Sequence, residues 1–177
     1  MLEILLSTGG LPPAEYSDSG PGPKTLIAGN EDIGFFGEVA SSLLITPTAL
    51  KVHLGLSAGT VIADAGSLKF IHNGVIKYVC KKTTFSSLSW NQLYAGGGIY
   101  GTDNNGLYPA TTPMNQSKPI TVSDGAKICT LVPKLISGSP TDPSLVTADA
   151  ITDYNSEYSD LLYRSIDGTH ANAGAFA

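Results

Sequence analysis

The chain has 177 residues, of which 42% are hydrophobic and only 14% are charged, and its formal net charge is −5. This apolar content is enough for a packed core and argues against wholesale disorder. Binding a phosphate backbone needs clustered Lys and Arg, and the only basic cluster, Lys77, Lys81 and Lys82, is interpreted as protection of a strand edge against unwanted pairing, so nucleic acid is not expected as a partner. No apolar run approaches the roughly 20 residues that span a bilayer, so no membrane segment is expected either.

The first six residues are mostly apolar, and a polar stretch rich in Gly and Pro follows them from Ser7 to Lys24. Residues 1–24 are therefore predicted to form an extended N-terminal arm and linker without a core of their own. The arm can fold back as an edge strand of its own domain, or it can add to a neighbouring subunit's sheet through main-chain hydrogen bonds. In the second case its interface side chains are Leu2, Ile4, Leu5 and Leu6.

Three short helices are predicted from their capping signals and the spacing of their apolar residues. The first covers residues 46–55, where Thr46 can act as the N-cap and Pro47 fits the first helical position. The second covers residues 89–94 and opens on a capping-box pattern. The third covers residues 157–164, where the apolar side chains share one face.

Two β-hairpins are predicted from turn residues that lie between β-prone runs. Asn73-Gly74 is the clearer signal, because both residues of such a turn need positive φ. Pairing outward from this turn places Ile71 beside Ile76 and Leu68 beside Val79. Both faces of this hairpin carry apolar residues, so it is expected to be central. The second hairpin is predicted to turn at Asp124-Gly125.

These elements predict an α+β, strand-dominated fold with two β-hairpins, three short helices and an extended N-terminal arm. The compact β-rich domain is expected over residues 25–166, and a polar tail over 167–177. A hairpin followed by a helix occurs twice in the predicted order of elements. The domain can therefore also be divided into two hairpin–helix subunits, over residues 25–106 and 107–166.

The adjacent aromatic residues Phe35 and Phe36 lie between two glycines. Successive side chains of an extended strand point to opposite faces, so these two rings cannot both reach one core. One ring is predicted to pack inward, and the other to pack on another segment of the chain or on another subunit. Burial of the second ring would contribute roughly 1.5–3 kcal/mol, so both residues are interface candidates.

No catalytic, metal or cofactor site is predicted. The segment Gly55–Gly59 matches the nucleophile-elbow pattern of serine hydrolases, but here a helix precedes Ser57 and a strand follows it, which is the reverse of the required order. The segment Asp103–Gly106 resembles part of a calcium loop but lacks the loop's final glutamate, so a surface turn is expected. Cys80 and Cys129 are predicted to be buried free thiols, with a disulfide as the alternative.

Several stretches resemble virion structural proteins of tailed bacteriophages. These stretches are Gly20–Leu26 (GPGPKTL) with Gly34–Glu38 (GFFGE), Ser89–Tyr94 (SWNQLY) with Ile99–Gly106 (IYGTDNNG), and Glu157–Tyr163 (EYSDLLY). The resemblance covers roughly residues 20–166. It implies a fibre, tail-tip or surface-decoration subunit that has no catalytic residues and no cofactor. The implied partners are other capsid or tail proteins and copies of the chain itself, in a virion assembled in the host cytoplasm.

A second function fits the same resemblance, namely a host-receptor or carbohydrate-binding module of a tail fibre. Such a module would present aromatic side chains to a host-surface ligand. The candidate residues for that surface are Trp90, Tyr94, Tyr100 and Tyr108.

Overall fold

The described residues form a strand-rich α+β structure in which all paired strands are antiparallel. The computed structural model describes residues 15–102, 104–106, 112–125, 127–137 and 156–163. The predicted arm residues 2–6 and the predicted tail 167–177 lie outside these ranges. No helix in the described ranges is both long enough and apolar enough to cross a membrane.

Eight strands and two α-helices are described. The strands are β1 (Ala28–Gly29), β2 (Ile33–Val39), β3 (Thr60–Val61), β4 (Ser67–His72), β5 (Val75–Cys80), β6 (Phe85–Ser86), β7 (Ile120–Asp124) and β8 (Lys127–Leu131). The helices are α1 (Pro47–His53) and α2 (Trp90–Ala95), together with a 3-10 turn at Ser41–Leu43 and a π-helical turn at Ser159–Tyr163. The largest sheet has the strand order β1-β2-β4-β5, and the pairs β3-β6 and β7-β8 form two smaller sheets.

The hairpin β4–β5 confirms the predicted turn and register. Asn73 and Gly74 have φ values of 51° and 75°, as a tight hairpin turn of this kind requires. Ile71 pairs with Ile76 and Leu68 pairs with Val79. β4 lies inside the sheet and is mostly buried, whereas β5 is at its edge, so the predicted central position holds for only one of the two strands.

Strand β2 contains a β-bulge at Phe36, where the pairing with β4 shifts between Phe35 and Gly37. Phe35 lies opposite Phe70, and the two ring centroids are 5.2 Å apart. Phe36 points to the other face of the sheet, where it is fully buried and meets the edge of Tyr16 at 5.3 Å. The two rings therefore occupy opposite faces, and each packs on a segment of its own chain.

The hairpin β7–β8 is formed, but its turn begins one residue later than predicted. Asp124 pairs with Lys127, which makes Asp124 the last residue of β7. The Asp124 carboxylate contacts Lys24, so this residue has a partner that the turn prediction did not include. Val122 faces inward and is buried, while Ile128 on the opposite face is 77% exposed.

The caps of both α-helices are those predicted. Thr46 accepts a hydrogen bond from the Ala49 amide at 3.3 Å, and Pro47 occupies the first position of α1. Ser89 and Gln92 form a reciprocal capping box at the start of α2. The third predicted helix is present as the short π-helical turn, which is preceded by two helical residues.

Candidate functional site

Helix α2 places two aromatic side chains on one face. Trp90 and Tyr94 are four residues apart, the spacing at which helical side chains meet. Their rings are stacked, with centroids 5.2 Å apart and planes inclined by 15°. The helix therefore builds a two-ring stack directly from local sequence.

Tyr100 completes a cluster of three aromatic rings, called the aromatic platform below. Its ring meets Trp90 and Tyr94 edge-on, with centroid distances of 6.5 and 6.4 Å. Tyr94 is almost completely buried, whereas Trp90 remains 37% exposed. The structure thus brings together three of the four aromatic residues proposed as a binding surface, and Tyr108 lies outside the described residues.

A buried glutamine, Gln116, forms hydrogen bonds with the main chain that carries the platform. Gln116 is fully buried, and its amide donates hydrogen bonds to the carbonyl oxygens of Tyr94 (2.9 Å) and Met114 (3.0 Å). Its side-chain oxygen accepts from the Ile99 amide at 3.1 Å. These bonds connect the end of α2 to the segment that carries Tyr100. Sequence reasoning missed Gln116, because nothing in its local pattern indicates burial.

A turn rich in asparagine lies beside the tyrosines. Tyr94 donates its hydroxyl to the Asn105 carbonyl oxygen at 2.9 Å. The Asn104 side chain accepts from the Gly106 amide at 2.9 Å, which forms the expected Asx-type turn in place of a calcium loop. A Cβ atom at Gly106 would lie 2.2 Å from the Tyr100 ring, so the turn contacts the ring closely. In the described parts of the chain, no group of three or more His, Cys, Asp or Glu side chains could hold a metal ion.

Ser57 lies in an open cleft between the end of α1 and helix α2. Helix α1 precedes this serine and strand β3 follows it, so the elements have the reverse order of a nucleophile elbow, as predicted. Gln92, Ala95 and Gly96 line the α2 side of the cleft. Along a helix these positions lie well away from Trp90 and Tyr94, so the cleft and the aromatic platform are separate features.

Of the six proposed interface residues, two pack within their own chain and four lie outside the described residues. Phe36 is fully buried within its own chain, and Phe35 is half-buried against Phe70. The arm residues Leu2, Ile4, Leu5 and Leu6 lie outside the described residues. Both cysteines are free, but the prediction that they are buried is wrong. Cys80 is exposed because it ends the edge strand β5, and Cys129 is half-buried.

Sequence reasoning also missed a buried lysine on the four-stranded sheet. The Lys69 side chain is fully buried and donates hydrogen bonds to Ser19 Oγ (2.9 Å) and to the carbonyl oxygens of Gly20 (3.0 Å) and Pro23 (2.7 Å). Burial, together with the nearby Lys24 ammonium, lowers the pKa of Lys69 to about 8. Part of the predicted linker is therefore packed onto the sheet through this lysine.

A second polar cluster binds residues 156–163 to the opposite face of the same sheet. The Glu157 carboxylate contacts Lys77 and Lys134 and accepts from the Ser137 amide at 3.0 Å. Burial alone would raise the pKa of Glu157, but the two lysines and this amide lower it to about 2. Nearby, His72 Nε2 lies 3.0 Å from the buried Asp160 carboxylate.

Comparison of the chain with protein-family models, with curated proteins and with solved structures gives no match.

Proposed function

We propose that the chain is a structural subunit of a tailed-bacteriophage virion, which assembles on the capsid or tail as a decoration or fibre subunit. The resemblance over roughly residues 20–166 supports this proposal. The low charged fraction of 14% supports it as well, because a weakly charged surface suits contact with other proteins. The proposal assigns the chain no catalytic activity and no cofactor.

The observation that carries the proposal is the two-stranded sheet formed by β7 and β8. Among the described residues neither strand pairs with a third strand, so the main-chain groups along both outer edges are available to another strand. A two-stranded sheet is only marginally stable by itself. Ile128 is 77% exposed on this sheet, and Val132, just beyond β8, is 38% exposed. An added strand would extend the sheet and cover apolar surface.

The apolar residues of the N-terminal arm provide a sequence that suits this added strand. Strand addition uses main-chain hydrogen bonds for affinity and alternate side chains for specificity. Residues 15–24 are held on their own sheet, so an exchange between subunits would involve the residues that precede them. Repetition of such contacts in a symmetric particle would turn weak individual contacts into a stable assembly.

Light scattering on the purified chain tests this assembly. We expect the full chain to have a mass of several subunits, and deletion of residues 1–14 or the substitution Ile128→Lys to shift that mass toward one subunit. The control is Val52→Lys, because Val52 is equally exposed but lies on α1. A full chain that remains a monomer, or an oligomer that neither change affects, would contradict the proposal.

A further inference from the structure

We propose that the aromatic platform binds the face of a neutral sugar ring in a glycan. This inference does not depend on the proposed place in a virion. It rests on the geometry of Trp90, on the absence of charged residues from the segment that carries it, and on the amide side chains of Asn105 and Asn91. Each of these observations restricts the chemistry of the ligand further.

The first observation is a flat indole surface that is rigid before any ligand binds. One face of Trp90 is stacked on Tyr94, and Tyr100 meets its edge, so the ring is fixed while 37% of the residue is exposed. Its indole N–H has no hydrogen-bond partner among the described residues. A preorganised surface avoids the entropic cost of ordering a side chain on binding. The C–H bonds on one face of a pyranose ring suit the electron-rich face of an indole.

The second observation is the lack of charged residues in the segment that carries the platform. No Asp, Glu, Lys, Arg or His occurs from Thr83 to Thr102, and the whole chain has a net charge of −5. Nucleic-acid bases also stack on aromatic rings, but their phosphates need clustered Lys or Arg partners, and this segment supplies none. A quaternary ammonium ligand would need several rings arranged around it. Because Tyr94 lies buried beneath Trp90, the platform offers one face and no cage.

The third observation is a set of amide groups that suit hydroxyl ligands. Asn105 is exposed, and its side chain makes no hydrogen bond among the described residues. Its main chain is held beside the platform by the Tyr94 hydroxyl. Asn91, next to Trp90, is likewise exposed without a described side-chain hydrogen bond. An amide side chain offers both donors and an acceptor, as neighbouring sugar hydroxyls require.

The experiment uses Trp90 itself as the reporter, since it is the only tryptophan in the chain. The purified full chain is titrated with maltoheptaose, cellohexaose and chitohexaose, and tryptophan emission and acrylamide quenching are recorded. We expect at least one of these probes to change the emission in a saturable way and to protect the indole from acrylamide. If all three leave both signals unchanged up to the limit of their solubility, the proposal is overturned.

Variants locate the binding by saturation-transfer NMR, which does not need the tryptophan signal. Trp90→Ala should weaken binding by about tenfold or more, the effect expected for loss of one aromatic stacking contact, while Trp90→Phe should restore most of it. Asn105→Ala should weaken binding less and keep the main-chain bond to Tyr94, so it tests the site even if Trp90→Ala fails to fold. The matched control is Val52→Ala, which changes an exposed apolar residue on helix α1.

Two variant results would overturn the proposal. One is a Trp90→Ala protein that is folded by circular dichroism and binds the sugar as the wild type does. The other is a Trp90→Ala protein whose only change is a smaller mass in light scattering, because the platform would then be a contact between protein chains.

Discussion

The buried Lys69 side chain holds the loop of residues 19–24 on the four-stranded sheet. Its ammonium group has three donors, and all three are used by Ser19 and by two carbonyl oxygens of the loop. The ring of Phe36 lies 5.0 Å below the same ammonium. Because a buried charge is costly without such partners, the loop and the lysine depend on each other.

The depressed pKa of Lys69 gives a prediction with a definite sign. The folded-state pKa of about 8 lies below the ordinary value of 10.5, so the unfolded chain binds more protons between these values. Stability should therefore rise with pH in that window, by about 2 kcal/mol from pH 7.5 to 9.5. The free energy of unfolding in urea is measured across this pH range for the wild type and for Lys69→Met. The contribution of Lys69 is the part of the pH dependence that the variant lacks.

The control for this measurement is Lys82→Met, which removes an exposed lysine next to the same sheet. Lys82→Met should keep the wild-type rise in stability. An equal rise in the Lys69→Met protein would show that the buried ammonium does not cause it.

A comparison of Gly22 with Gly74 separates the free-energy cost of a steric clash from the cost of a positive φ. Its φ is +89°, and a Cβ atom would lie 2.5 Å from Val39 Cγ2. Gly74 has a similar φ of +75° but nothing within 4 Å of its Cβ position. We expect Gly74→Ala to cost about 1–2 kcal/mol from backbone strain alone, and Gly22→Ala to cost clearly more. Equal losses of unfolding free energy would mean that the loop moves away from Val39 without cost.

At the scale of elements, the parts that were predicted correctly have signals within a few residues. The β4–β5 hairpin follows from Asn73-Gly74, and α2 follows from Ser89 and Gln92, because turn and cap chemistry is local. The turn after Asp124 was displaced by one residue. That side chain has a partner 100 residues away, Lys24, which no local pattern indicates.

Only the local part of the aromatic platform can be predicted from the sequence. Trp90 and Tyr94 meet because they are four residues apart on one helix. The approach of Tyr100 and the burial of Gln116 depend on how segments distant from α2 return to it. Lys69 was missed for a related reason, since a lysine within a strand is usually exposed.

Glu157 determines how the element at 156–163 is held on the sheet. Its folded-state pKa of about 2 lies below the ordinary value of 4.5. The ionised carboxylate therefore stabilises the fold fully at pH values above 4.5. This contribution should be lost as the pH falls, by about 2 kcal/mol between pH 5.5 and 3. At neutral pH, Glu157→Gln should cost roughly 1–3 kcal/mol, because Lys77 and Lys134 lose their common partner.

Denaturant unfolding across this pH range tests the Glu157 prediction. The control is Glu38→Gln, which removes a mostly exposed carboxylate paired with Lys81 and should have little effect. If Glu157→Gln kept the full acid sensitivity of the wild type, another carboxylate would have to be responsible for it.

At the scale of the whole molecule, each face of the four-stranded sheet packs against a short segment from outside the sheet. Residues 19–24 cover the face that carries Lys69, and residues 156–163 cover the face that carries His72 and Lys77. The β7–β8 sheet has no third strand among the described residues, and its five-residue strands are longer than the two-residue strands of the β3–β6 pair, which also lacks a third strand. It is therefore the part of the described structure best suited to accept a strand from another chain.

Quantitative mass spectrometry of virions, gradient-purified from a lysate in which the chain is expressed, tests the proposed virion role most directly. A structural subunit should be present in many copies per particle, in a constant ratio to the major capsid protein. Deletion of residues 1–14 should reduce that ratio, because the open β7–β8 edge would lose the strand proposed to occupy it. Complete absence of the chain from infectious particles would contradict the account.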